Sequence, residues 1–452
     1  MSQREKGRVG DIVSGKGVKF SELMGFLRAS LAKIPEHRRG ENGHYQIADA
    51  GQAAFSVFFM QESSFLAYQA SMQEKQGRNN ARSLFGVAEI PSDGQTRNLL
   101  DPVDPAALAA PFWATYEALE RSGALLDYRG ATGTQLVSLD GTQYFASQKV
   151  HCENCRVSVR AGRTYYAHQV LLAVVGAPER PHVVCLPPEF ITPQDGAEKQ
   201  DCEQQAIKRW IEQQAGHFAP WSVTILTDDL HCHQPVCQLA LDHHMHFILT
   251  CKPDSHLALY EELRLLERVA GAISTKTVRH WNGRHHEVWQ YRWATALPLR
   301  EGQAALRVSW CELTVLNEET TEQLYHNAWA TDHTLDETRV EAVARDGRSR
   351  WKVENEGINV LKNRGYHFEH NYGHGDQHLS AVLLSLLLLA FLFHTALDLG
   401  CRMYRAIRQK LRTRRKFFDD LRGLTTYLYW RSFQHLLSFM YRQLELGPPP
   451  ID

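Results

Sequence analysis

The chain has no surplus of either charge: 50 lysines and arginines stand against 51 aspartates and glutamates, a formal net charge of -1. Such a balance excludes attraction to a polyanion through overall charge and leaves only local stripes for that purpose. Cysteine is sparse and odd in number, nine in 452 residues, and Met1-Ser2-Gln3-Arg4 is no secretory signal. A disulfide framework is therefore excluded, and thiols in a reducing cytoplasm are expected. Long hydrophobic runs are almost absent. The exception, Leu379 to Leu397, carries no charge unless His394 is protonated, and Arg402 and Arg405 follow it. It is long enough for a membrane span, but a solitary run in an otherwise polar chain reads as a buried core helix, with no membrane as partner.

What is present is unevenly spread. Between Arg402 and Arg422 nine lysines and arginines face two aspartates, a stripe able to bind phosphates within a neutral whole. The length allows two or three domains with a sizeable core. Residues 1–16 read as a disordered polar leader and 17–130 as a helical N-terminal region, from the apolar spacing of Phe20 to Leu27, the block Ala53 to Met60 and the segment Asp101 to Arg121. Texture changes after Gly133. Gln135 to Asp140 reads as a strand ending in an aspartate and a turn, Thr164 to Gly176 as a second strand and His182 to Leu186 as a third. A helix follows around 198–214, then a strand from Ser222 ending at Asp228-Asp229, a helix, and a fifth strand from Met245 to Cys251. Three strands, helix, strand, helix, strand is the order of an RNase H-like α/β core, placed here at 131–253 and 331–400. Between its two parts, 254–330 reads as a β-rich insertion, from Thr275 to Arg279, His286 to Trp293 and Leu306 to Leu316. Residues 401–452 form a basic helical C-terminal region ending in an aromatic amphipathic helix, Tyr427 to Tyr441.

In that order the first and fourth strands are parallel neighbours, which brings Asp140 and Asp228 together and calls for a third carboxylate from a later helix. Glu354 supplies it. Read as a helix from Arg350 to Lys362, at about 100° per residue, the segment places the two cations roughly 40° and 80° either side of Glu354, with Glu356 pointing the opposite way. Two flanking cations keep a carboxylate ionised and can hold phosphates.

At this point the chain resembles the DDE transposases of bacterial insertion sequences, those whose RNase H-like core is interrupted by β-strands before the last glutamate. The resemblance spans roughly Leu136 to Tyr372. It is carried by Ser138-Leu-Asp140-Gly-Thr, Ile225-Leu-Thr-Asp228-Asp-Leu and Arg350-Trp-Lys-Val-Glu354 with Lys362. In the family's Tyr, Arg, Glu, Lys signature, Gly347 stands here at the Tyr position and Lys362 one residue late. The resemblance implies that Asp140, Asp228 and Glu354 are catalytic and bind Mg2+ or Mn2+, while Arg350 and Lys362 bind DNA phosphates. It further implies cleavage at terminal inverted repeats, strand transfer into target DNA, a homodimeric synaptic complex and a nucleoid-associated bacterial cytoplasmic protein. The alternatives are a catalytically inactive DNA-binding protein derived from such an enzyme, and a membrane-associated protein anchored through Leu379 to Leu397.

Two thiol clusters remain. His151-Cys152-Glu-Asn-Cys155 is a C-x2-C knuckle, and His231-Cys232-His233 with Cys237 lies near the fourth strand. Both follow adjacent parallel strands and could meet; buried thiols and solvated histidines are the ordinary reading, and a structural Zn2+ shared between Cys152, Cys155 and two of Cys232, His233 and Cys237 is the alternative. His367, His370, His374 and His378, among Gly373 and Gly375, read as a polar DNA-facing loop or structural histidines, with metal binding as the alternative.

Overall fold

The computed structural model describes residues 17–38, 45–62, 68, 74–193 and 203–450; the leader expected at 1–16 lies outside them. The first strand, β1 (Gln135–Ser147), opens with Leu136, Val137 and Leu139, all wholly buried. Beyond a short β2 (Arg156–Arg160), β3 (Arg163–Gly176) is buried without a break from Val170 onward. Runs apolar on both sides belong to strands covered on both faces. Next come β4 (Val184–Cys185), β5 (Glu189–Ile191), β6 (Val223–Thr227) and β7 (His246–Thr250). β1 lies antiparallel to β3 and parallel to β6, and β6 is parallel to β7.

The stretch expected as a β-rich insertion contributes β8 (Ser274–Trp281), β9 (His286–Pro298), β10 (Arg307–Asn317) and β11 (Gln323–Thr331). These extend the same sheet: β11 pairs antiparallel with β7, matching Trp329 to Thr250 and Thr331 to Ile248. The sheet runs β2-β3-β1-β6-β7-β11-β10-β9-β8, with β4 and β5 also on β3. The architecture is mixed α/β around one large mixed sheet.

Helices α1 (Phe20–Leu31), α2 (Ile47–Phe59), α3 (Lys75–Asn80), α4 (Asp93–Leu100) and α5 (Ala109–Arg121) precede the sheet. Within it come α6 (Glu203–Gln214), α7 (Gln234–Asp242) and α8 (Leu257–Leu266), then α9 (Arg339–Arg348) and α10 (Asn359–Asn363). The tail is α11 (Leu379–Gly400), α12 (Arg402–Leu411), α13 (Arg414–Tyr427) and α14 (Phe433–Gln443). Side chains alternate across the sheet. Leu136 and Leu226 pack with Val340, Val343 and Ala344 of α9 on one side, while Val137, Leu139 and Ile225 join the larger helical core.

α11 is apolar all round, with mean hydropathy 2.2, and every residue from Val382 to Leu397 is buried inside the fold. Its one polar ring is satisfied there: His394 Nδ1 accepts from the Tyr366 hydroxyl at 2.7 Å, and Nε2 donates to the Phe59 carbonyl at 2.9 Å.

Two local expectations are corrected. Asp140-Gly141 is not a turn, because β1 continues through it to Ser147 with Asp140 opposite Leu172 and Gly141 opposite Leu171. Gly141 lets the Glu203 carboxylate come close: a Cβ there would overlap it in its present rotamer. Nor is 350–362 one regular α-helix. Arg350 sits in a turn, Val353–Ile358 is a π-helix, and α10 follows. The wider π turn shifts the phase between Glu354 and Lys362, and such segments are frequent at functional sites.

Candidate active site

Strand register sets two carboxylates side by side. The parallel pairs of β1 and β6 reach Ser138 opposite Leu226, so two residues further on Asp140 stands beside Asp228 on the same face. The π segment lies over that face, for a Cβ on Gly357 would be 3.4 Å from Leu172, the β3 partner of Asp140. Glu354 is thereby carried close enough to Asp140 for its charge to act on that carboxyl. The approach is fixed from behind by Asp346 of α9, wholly buried, which accepts from the Ala131 and Thr132 amides at 2.7 and 2.8 Å and the Thr132 hydroxyl at 2.7 Å. Gly347 fits the same junction: a Cβ there would lie 2.6 Å from the Trp329 indole nitrogen, so no tyrosine can stand at that signature position without moving Trp329.

The carboxyls influence one another's protonation. Burial pushes the Asp140 carboxyl up to about 6; Arg350 opposes the rise, and Asp228, Glu203 and Glu354 add to it. For Asp228 burial acts upward too, but the hydrogen bond from His231 Nδ1 at 2.8 Å, with Arg350 and the Leu230 amide, holds it below its ordinary value. Neighbouring carboxyls with pKa values driven apart are an arrangement that acid–base and metal chemistry use. Arg350 Nη1 lies 4.0 Å from Asp140, and its guanidinium stands 4.5 Å from the Trp351 ring.

Glu203, at the start of α6, is a fourth carboxylate that the sequence reading missed. Burial raises its pKa, and its Oε2 is 3.9 Å from His231 Nε2. Nothing in its polar surroundings distinguishes it; only the glycine at 141 hinted at a close neighbour. Asp229 is turned away, accepting from the Lys252 amide at 2.7 Å and lying 3.3 Å from His256 Nε2. Lys362 pairs with Glu369 at 2.8 Å. Among the described residues neither Lys362 nor Arg350 forms an ion pair with Glu354, so the expected three-residue face gives way to an Arg350–Asp140 contact.

The alternative of a zinc set shared between Cys152, Cys155, Cys232, His233 and Cys237 is not assembled. Because β1 runs seven residues past Asp140, at about 3.3 Å each, the knuckle is carried far from the end of β6. Cys152 and Cys155 meet His168 and His374 instead, while Cys232 faces Cys251 and His256 in the core.

The basic tail is partly internal. Arg405 donates to the Asp398 carbonyl, Arg414 to the Tyr366 hydroxyl and Arg422 to the Met60 and Gln61 carbonyls. Others line a cleft of about 1060 Å3 that includes Arg364, Arg408, Arg412 and Arg415. Two nitrogens of Arg408, Nε and Nη1, are buried without a hydrogen-bond partner.

No protein-family model matches the sequence, and no curated protein matches it. Among solved structures, the chain is similar to the cryo-electron-microscopy structure of the piggyBac transposase synaptic complex with hairpin DNA, at 10% identity over 96% of this chain and 80% of that one. The TM-score is 0.36, too low to carry an argument from that likeness to this chain.

Proposed function

We propose that the chain is a DDE transposase of the insertion-sequence type, catalysing metal-dependent DNA cleavage at element ends and strand transfer into target DNA. The observation that carries this reading is the convergence of Asp140, Asp228 and Glu354, residues from three distant parts of the chain, at the end of the β1 and β6 pair. The sheet order around them, with the third, second, first, fourth and fifth expected strands side by side, is the one an RNase H-like core requires. An all-oxygen donor set suits Mg2+ or Mn2+, and Asp140, Asp228 and Glu354 would hold the ions. When bound, such ions activate the attacking oxygen and stabilise the leaving oxygen of an in-line displacement.

The chain's own groups supply the rest. His231 holds the orientation of Asp228, and Arg350, stacked on Trp351 beside Asp140, is the cation that would position a backbone phosphate. Lys362 reaches a phosphate only by leaving Glu369. Double-stranded DNA, a homodimeric synaptic complex and a cytoplasmic, nucleoid-associated setting belong to the same proposal.

The test incubates purified protein with DNA from its gene's flanks and Mg2+ or Mn2+, comparing wild type with Asp140→Ala, Asp228→Ala and Glu354→Ala. Nicking at the element ends that each substitution abolishes is expected. Binding without cleavage would instead identify a DNA-binding protein derived from a transposase.

A further inference from the structure

Four side chains from three separate parts of the chain meet at one point. Cys152 and Cys155 lie between β1 and β2, His168 stands on β3, and His374 comes from the segment joining α10 to α11. Their ligating atoms all lie within 4.8 Å of one another. The sulfur atoms are 3.9 Å apart, Cys152 Sγ is 3.5 Å from His168 Nε2, and Cys155 Sγ is 3.4 and 3.3 Å from the Nε2 atoms of His168 and His374. The two imidazole nitrogens are 3.0 Å apart. A tetrahedral ion with Zn–S of about 2.3 Å and Zn–N of about 2.0 to 2.1 Å sets edges of about 3.8, 3.5 and 3.3 Å for S–S, S–N and N–N pairs. The five edges given follow that order and lie within about 0.3 Å of those lengths.

The surroundings are those of a ligand set already oriented. His374 Nδ1 is 2.8 Å from the Gly375 carbonyl, which can only accept, so the proton is on Nδ1 and the Nε2 lone pair faces the sulfurs. Asn154, inside the knuckle, donates to the Gln377 carbonyl at 2.9 Å, tying the two loops independently. Cys155, His168 and His374 are buried, and four protein ligands leave no open position, as in a structural site. Two thiolates with two imidazoles select zinc over the hard cations that suit carboxylates.

We infer that Cys152, Cys155, His168 and His374 bind one zinc ion that clasps the β1–β3 hairpin, which carries Asp140, to the segment following Glu354. The clasp closes the chain across the strands inserted between β7 and α9, holding two distant halves of the carboxylate site in one frame. The ion would bind whether or not the carboxylates cleave DNA.

The test is metal analysis of the full chain purified from zinc-supplemented cells without chelator, with X-ray absorption at the zinc edge. About one zinc per chain with a shell of two sulfurs and two nitrogens is expected, and cobalt exchanged into the site should show tetrahedral d–d bands with a thiolate charge-transfer band. His374→Gln should lose the metal, whereas Cys237→Ser should keep it. A wild-type chain without zinc, or a shell lacking the two sulfurs, overturns the inference even if His374→Gln proves insoluble. So does a Cys237→Ser protein that loses zinc while His374→Gln retains it.

Discussion

His394 shows what a single buried ring imposes on the molecule. Both of its nitrogens are used by the neutral form, and burial, reinforced by the charges of Arg414 and Arg408, holds its pKa well below the ordinary 6.5. Below about pH 6.5 the unfolded chain takes up a proton that the folded chain refuses. Stability therefore rises with pH through that window, is complete above it, and falls by about 1.4 kcal/mol per unit beneath it until the folded ring titrates. Urea midpoints between pH 5 and 7.5 should show this slope in the wild type and a shallower one in His394→Gln; equal slopes would dismiss the explanation. Asp346 offers a second case. Its loss in Asp346→Ala orphans the Ala131 and Thr132 amides and should cost about 2 to 4 kcal/mol of unfolding free energy, measurable by denaturant titration.

Among the elements, α11 depends on a residue far from it in sequence. The Asp101 carboxylate accepts from the amides of Asp376, Gln377, His378 and Leu379 at 3.0 to 3.2 Å, fixing the turn that leads into the helix, satisfying the amide of its first residue and meeting the positive end of its dipole. Asp101→Ala should destabilise the fold by about 1 to 2 kcal/mol, with Asp101→Asn intermediate, read from thermal melts at neutral pH. No reading of the sequence exposes this cap, since its acceptor lies 275 residues away. The same limit explains which elements were legible. β3, β6 and β7 declare themselves through apolar runs bounded by turns, and Asp228 and Glu354 follow from their places on the elements. β1 was read too short because Asp-Gly ordinarily marks a turn, and here the glycine makes room for Glu203. His168 carries no signal of its own in the sequence, and His374 stands there only among neighbouring histidines, because only the folded sheet brings the two to Cys152 and Cys155. The pairing of β11 with β7 is equally long-range.

For the whole molecule, a net charge of -1 means that any DNA binding must come from a local field. The cleft between the 363–367 segment and α12 and α13 concentrates arginine, and its residues divide by what already holds them. Arg414 and Arg422 serve the fold through Tyr366, Met60 and Gln61, so replacing them confounds binding with stability. Arg364 and Arg415 are exposed on the rim, Arg415 pairing with Asp419 at 3.9 Å, a surface pair worth little. If the proposed DNA substrate follows this cleft, each rim arginine neutralises about one phosphate and releases its counterion. The slope of log K against log salt then changes by about 0.9 per residue. Arg364→Ala with Arg415→Ala should therefore weaken binding to element-end and unrelated duplexes alike and flatten the salt dependence by about 2, with the melting temperature unchanged. Fluorescence anisotropy across a salt series measures all of this. An unaltered slope would move the DNA path off the cleft and toward the face of the sheet where Arg350 stands beside Asp140.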